Sequence, residues 1–127
     1  MKNNKHNKPS YQFFSNTRFA FEGLVDIVKH ETSFRIELIL FILLQASIFF
    51  LPVNYYQSLL LSLILFVPLI VEAINSAVER VVDLVTKDYH ELAKHAKDAG
   101  SAAVFLSLCL VVLVWFFVLY DAFGFTA

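Results

Sequence analysis

Residues 55–83 read YYQSLLLSLILFVPLIVEAINSAVERVVD. The part up to Val71 is apolar apart from Gln57, Ser58 and Ser62, and Pro68 offers a kink. The helical pattern then continues through Glu72, Asn75, Ser76, Glu79, Arg80 and Asp83 without a break. A helix over 55–85 would be about 46 Å long at roughly 1.5 Å per residue. The hydrocarbon core of a bilayer is only about 30 Å thick, so the apolar part spans a membrane and the last turns stand in water. At about 100° per residue, Glu72, Asn75, Ser76, Glu79 and Asp83 share one arc of about 100°, while Ile74, Val78, Val81 and Val82 take other faces. Glu72 then falls near the rim of the hydrocarbon, with Glu79 about 10 Å further out by helix rise.

The rest of the chain agrees with a membrane reading. Of its 127 residues 58% are apolar and only 17% charged, against roughly a quarter charged in a soluble domain. The net charge of -1 hides the distribution: every Lys and Arg lies in 2–35 or 80–97, and only Glu72 and Glu79 carry charge in 38–79. No broad basic face exists to neutralise phosphates, which argues against nucleic-acid binding. Cys109 stands alone in an apolar run, so neither an intrachain disulfide nor a zinc pattern is available, and it reads as packing. The first ten residues are polar and lack the apolar core of a cleavable leader, so none is expected.

The expected fold is therefore all-α: a basic flexible tail over 1–12, then one domain over 13–127. Phe14, Phe21, Leu24, Val25 and Val28 recur at helical spacing, with Arg18, Glu22, Asp26 and Lys29 on other faces. That predicts an amphipathic surface helix over 13–32, lying in the membrane interface, packed on its own protein, or both. Three transmembrane helices follow, over about 34–53, 55–85 and 99–120, with a polar segment at 86–97. Six basic residues precede position 38 and four lie in 80–97, whereas the 52–57 turn and the C-terminus have none. The positive-inside rule puts the N-terminus and the 80–97 segment in the cytoplasm and the C-terminus outside. Asp121, alone at the outer end, is expected only to cap the solvated tail.

An acid near membrane depth is costly unless paired or functional. The bland alternative is a polar seam between helices, satisfied by Ser, Asn and Arg partners. Glu31, Arg35 and Glu37 approach the same side from the start of the first span, and Lys94, His95, Lys97 and Asp98 from the start of the third. Carboxylates suit Mg²⁺, which takes one or two of them together with phosphate oxygens and water. Lysines and Arg80 would hold phosphates, and a carboxylate at headgroup depth would orient or deprotonate a lipid hydroxyl. Together these point to phosphoryl transfer from a nucleotide to a membrane-bound alcohol. There is no GxxxxGK[ST] loop and no protein-kinase signature. His90 and His95, five apart, are poorly placed to share a metal on a helix.

The stretch Glu72-Ala-Ile-Asn-Ser-Ala-Val-Glu-Arg-Val-Val-Asp83, with Tyr89-His-Glu-Leu-Ala-Lys94 and Ala96-Lys-Asp-Ala-Gly-Ser-Ala-Ala-Val104, resembles the bacterial integral-membrane diacylglycerol kinase family. Glu31-Thr-Ser-Phe-Arg-Ile-Glu37 is similar to an earlier block of that family, and the resemblance covers about residues 13–122. It implies an ATP:diacylglycerol phosphotransferase of the bacterial inner membrane that makes phosphatidic acid with Mg²⁺, built as a homotrimer with sites shared between subunits. By position it makes Glu72 the general base, and Glu31 and Glu79 the carboxylates holding the nucleotide-bound metal. Glu31, Asn75, Glu79, Asp88, Tyr89, His90, Lys97 and Asp98 match nucleotide positions. Ser33, Phe34, Arg35, Ile36, Glu37, Glu72 and Ser101 match lipid positions. Two departures matter: Gln12 falls where the best-known member has Arg, and Phe19 where it has a Tyr near the nucleotide. No nucleotide contact is carried onto Gln12, Phe19 is left with stacking at most, and Arg18 is a candidate replacement for the lost charge.

The family also contains undecaprenol kinases. The Lys97-Asp-Ala-Gly-Ser run favours the diacylglycerol branch, while Glu79-Arg-Val-Val-Asp-Leu-Val-Thr86 is also at home in the other. Two further classes compete on the residues alone: a small proton or cation transporter, and a non-enzymatic membrane assembly protein. No charge lies deep within 38–71 or 101–120, which weighs against an ion pathway. Small residues Ala73, Ser76, Ala77, Gly100, Ala102 and Ala103 permit close helix approach and hence oligomers. The number three comes from the resemblance alone.

Overall fold

A computed structural model describes residues 13–124; the basic tail 1–12, with Gln12, and residues 125–127 lie outside the described part. The described residues form five helices and no strand: α1 (Phe13–His30), α2 (Thr32–Ile48), α3 (Tyr55–Ile64), α4 (Phe66–Val85) and α5 (Glu91–Ala122). Two helices are long and apolar enough to cross a membrane: Tyr55–Val85, taking α3 and α4 as one bent rod, and Glu91–Ala122. α2 is apolar but has 17 residues, about 26 Å of rise.

Each boundary has a local cause. α2 stops at Ile48, short of the expected 53, because Pro52 lacks an N–H and disfavours helix in the residue before it. The chain tightens first: Phe50 N–H donates to the Ser47 carbonyl (3.0 Å) and Leu51 N–H to that of Ile48 (3.2 Å). α3 opens on a reciprocal cap in which Asn54 Oδ1 accepts from Gln57 N–H (3.0 Å) and Gln57 Oε1 from Asn54 N–H (2.9 Å). The break at Leu65 lies three residues before Pro68, whose ring nitrogen has no proton for the Ile64 carbonyl. The effect of Pro68 is thus an interruption of the helix at Leu65, one turn upstream.

The last helix departs most from expectation. The polar segment at 86–97, expected to precede the third span, is folded into α5 from Glu91 onward, and only 86–90 link the helices. His90 caps it, its Nδ1 accepting from Leu92 N–H (3.2 Å). Lys94 and Asp98, one turn apart, pair at 2.6 Å and support the polar first turns.

α4 runs along α5, and α2 also packs against α4. Gly100 makes the α4–α5 approach possible, since a Cβ there would overlap the Asn75 amide oxygen. Towards the other end Gln45 Nε2 donates to the Ser62 carbonyl (3.1 Å) while Ser62 Oγ donates to Gln45 Oε1 (2.9 Å), clamping α2 to α3. Asp121 does more than cap a tail: its Oδ2 accepts from Gln57 Nε2 at 2.8 Å and ties the end of α5 to the start of α3. The large apolar side chains buried within the described chain are Phe34, Leu61 and Leu65, so most apolar surface faces outward. In water that would be a liability, whereas it suits lipid or a second copy. On α1, Phe14, Phe21, Leu24 and Val25 are all exposed.

Candidate functional site

The periodicity of α4 places Glu72, Asn75, Ser76 and Glu79 on the side facing α2 and α5. Glu72 is only 5% exposed, Asn75 7% and Ser76 2%. These are the most deeply buried polar side chains of the described chain apart from Ser107, whose Oγ donates to the Val104 carbonyl (2.6 Å). Asn75 Nδ2 donates to Glu79 Oε1 at 3.2 Å, whereas Asn75 Oδ1 is buried with no donor. The bland seam, with every polar group satisfied, therefore does not describe this face.

The face opens onto a cleft of about 420 Å³. Glu31, Ser33, Ile36, Glu37 and Leu40 line it from the α1–α2 junction and α2; Glu72, Asn75 and Glu79 from α4; Ser101, Val104 and Leu108 from α5. Residues up to 77 positions apart in sequence thus meet: the expected base, both expected metal carboxylates and four expected lipid positions besides Glu72. Phe34 and Arg35 do not line it. Phe34 is buried elsewhere, and Arg35 turns back to donate to the Lys29 carbonyl (3.2 Å) and Thr32 Oγ1 (2.9 Å). Four carboxylates line one cleft, and Glu37 Oε2 is, like Asn75 Oδ1, buried without a hydrogen bond.

A second cavity of about 250 Å³ lies beyond the end of α4. It gathers Asp88, Tyr89, His90, Lys97 and Asp98, the remaining expected nucleotide positions, with Lys87, Lys94 and Asp83 among the other lining residues. Lys97 Nζ donates to Asp83 Oδ1 (2.5 Å) and Lys94 Nζ to Asp98 Oδ2 (2.6 Å), so both lysines are held at the cavity by carboxylates. Phe19 lies exposed on α1, and Arg18 pairs with Glu22 one turn away (2.7 Å); neither lines either cavity.

Among the described residues no three His, Cys, Asp or Glu side chains converge as a ready metal cage. Glu31 and Glu79, from different walls of one cleft, supply the one or two carboxylates that suit Mg²⁺ arriving with phosphate oxygens. Arg80, expected to hold phosphates, instead faces α1: its Nε and Nη2 donate to Glu31 Oε1 (3.2 and 2.9 Å) and its Nη1 to Asp26 Oδ2. The Arg80 hydrogen bond holds the Asp26 carboxyl below the usual carboxylate range, with the charges of Arg80 and His30 adding to it. Sequence reasoning gave no part to Asp26 or to Gln45. The Asp26 pairing had no short-range signal, but Gln45 was visible as an amide in an otherwise apolar run.

Comparison with known proteins gives this arrangement a family. Residues 18–119 match the prokaryotic diacylglycerol kinase family, a stretch that contains both cavities. The diacylglycerol kinase of Haemophilus influenzae is 40% identical over 101 residues, covering 80% of this chain and 86% of the relative. That of Escherichia coli K12 is 36% identical over 106 residues, covering 84% and 87%. That of Pseudomonas aeruginosa is 35% identical over 99 residues, covering 78% and 80%. With the match running from within α1 to the last turn of α5, this chain belongs to the prokaryotic diacylglycerol kinase family.

Proposed function

We infer that this protein is an ATP-dependent diacylglycerol kinase of the bacterial inner membrane, making phosphatidic acid at the cytoplasmic interface. The observation that carries the reading is the cleft in which buried Glu72 meets Glu31, Glu79, Ser33 and Ser101. A carboxylate there can take the proton of a lipid hydroxyl as that oxygen bonds to the γ-phosphorus of ATP and the bond to the β-phosphate oxygen breaks, releasing ADP. Glu31 and Glu79 would hold the Mg²⁺ that accompanies ATP, which neutralises the charge of the transferring phosphoryl. Asn75 positions Glu79 through their hydrogen bond, and Asp88, Tyr89, His90, Lys97 and Asp98 form the nucleotide side of the site. Ser33, Ile36, Glu37 and Ser101 receive the lipid headgroup, with Phe34 and Arg35 supporting that wall from outside the lining.

In this reading residues 13–127 form one domain, and α2 serves as a span beside the two longer ones. Its 17 residues sit at the short end of what a bilayer needs. The Gln45–Ser62 clamp supports that, because it satisfies both polar side chains within the apolar layer. The N-terminus and both cavities face the cytoplasm and the C-terminus lies outside. A homotrimer with sites completed between neighbours accounts for the outward apolar surface.

The test is phosphate transfer. Purified protein in bicelles, given Mg-ATP labelled at the γ-position, is expected to label short-chain diacylglycerol far faster than undecaprenol. Preferential labelling of undecaprenol would reassign the lipid, and labelling of neither would remove the kinase reading.

A further inference from the structure

Glu31 occupies a one-residue junction: α1 ends at His30, α2 begins at Thr32, and the Glu31 backbone between them is extended (φ -106°, ψ 113°). A side chain on such a joint is not aimed by helix geometry, yet the proposed metal site needs it aimed into the cleft. Arg80 supplies the aim. Both Nε and Nη2 bond to the same oxygen, Oε1 of Glu31, at 3.2 and 2.9 Å. The third arm, Nη1, bonds to Asp26 Oδ2 on the surface helix. Asp26 is steadied in turn by His30, whose Nδ1 lies 3.0 Å from its Oδ1. Glu79 and Arg80 are neighbours on α4, about 100° apart around the helix. One turn of α4 therefore places Glu79 in the cleft directly and sets Glu31 at the cleft through Arg80.

We propose that Arg80 is a positioning residue for cation binding. It holds Glu31 by Oε1 alone, which would leave Oε2 for the metal that accompanies the nucleotide, and through Asp26 it makes that hold depend on the docking of α1. A guanidinium does this better than an ammonium, because its fork serves two carboxylates at once in a fixed plane. The inference rests on the reading of Glu31 and Glu79 as the metal carboxylates, but not on which lipid is phosphorylated.

The experiment uses the full-length protein in bicelles and reads cation binding directly. Binding of Mn²⁺ with a non-hydrolysable ATP analogue is followed by electron paramagnetic resonance. Arg80→Ala is expected to weaken Mn²⁺ binding about fivefold or more, with Arg80→Lys recovering part of the loss. Asp26→Asn should weaken it less, and Asp26→Asn/Arg80→Ala should be no worse than Arg80→Ala alone, since both act through one contact. In steady-state turnover the same variants should raise KM for Mg-ATP while kcat and KM for diacylglycerol hold within about twofold. Unchanged Mn²⁺ affinity in a folded Arg80→Ala protein would overturn the proposal. So would a fall in kcat at constant KM, full additivity of the two substitutions, or absence of Mn²⁺ binding by the wild type. Weakened Mn²⁺ binding in a protein that phosphorylates no diacylglycerol would uphold the role of Arg80 and defeat the lipid assignment alone.

Discussion

The two ends of the helix bundle handle polar side chains differently. At the end that holds Asn54 and Asp121, Gln45 pairs with Ser62, Asn54 with Gln57, and Gln57 with Asp121. At the end that holds Glu31 and Glu72, pairs such as Arg80–Glu31 and Lys97–Asp83 surround a site where four carboxylates share one cleft, and there Glu37 Oε2 and Asn75 Oδ1 are buried without a hydrogen bond. A paired polar group in an apolar layer holds helices in register, whereas an unpaired one is costly and points to a ligand. Trp115 Nε1, on α5, is the exception, a buried donor without a partner away from the cleft.

Substitutions can break or sharpen that contrast. The largest effect is expected from Glu72→Gln, which keeps the shape and removes the proposed base. Turnover should fall by about a hundredfold or more while assembly and nucleotide binding persist, and a variant with more than about a tenth of wild-type turnover would show that Glu72 is not the base. Glu79→Ala comes next, raising the Mg-ATP requirement about tenfold in a titration of rate against Mg-ATP; an unchanged requirement would move the metal elsewhere. Gly100→Ala drives a methyl into the Asn75 amide, so a several-fold loss of rate should accompany a stability loss of about 1–3 kcal/mol, read by thermal unfolding in bicelles. At the end away from the cleft Gln45→Leu should cost about 0.5–2 kcal/mol of stability and leave both KM values alone. If it abolished turnover in a folded protein, the division between the ends would fail.

The smallest effect concerns pH. Arg80 lowers the Asp26 carboxyl below its ordinary value of 3.8, so the anchoring of α1 is complete above that value. It weakens only as pH falls through the lowered folded value. Hydrogen exchange in α1 should be insensitive to this group from neutral pH to about pH 4, after correction for intrinsic rates, and accelerate below it. In Asp26→Asn the acceleration should be absent.

Much of this was legible in the sequence. The polar arc Glu72, Asn75, Ser76, Glu79 and Asp83 follows from helix periodicity; Glu72, Asn75 and Ser76 are buried, while Asp83, at its far end, is exposed and pairs with Lys97. The Asn54–Gln57 cap and the Pro68 break are short-range chemistry and sit where the residues put them. What was illegible is long-range. Nothing local says that Arg80 reaches Asp26, 54 positions away, rather than a phosphate, or that Gln57 meets Asp121 across 64. The start of α5 at Glu91 was missed because its polar residues look like a loop until their pairing along the helix is counted.

The most direct test of the contrast between the two ends is to ask where the lipid hydroxyl sits. A diacylglycerol carrying a diazirine beside its free hydroxyl, photolysed with the full-length protein in bicelles, is located by mass spectrometry. The expected result is labelling at Ser33, Ile36 and Ser101, suppressed by unlabelled diacylglycerol. Suppressible labelling confined to 45–62 or 109–121 would place the reaction at the end away from the cleft and contradict it.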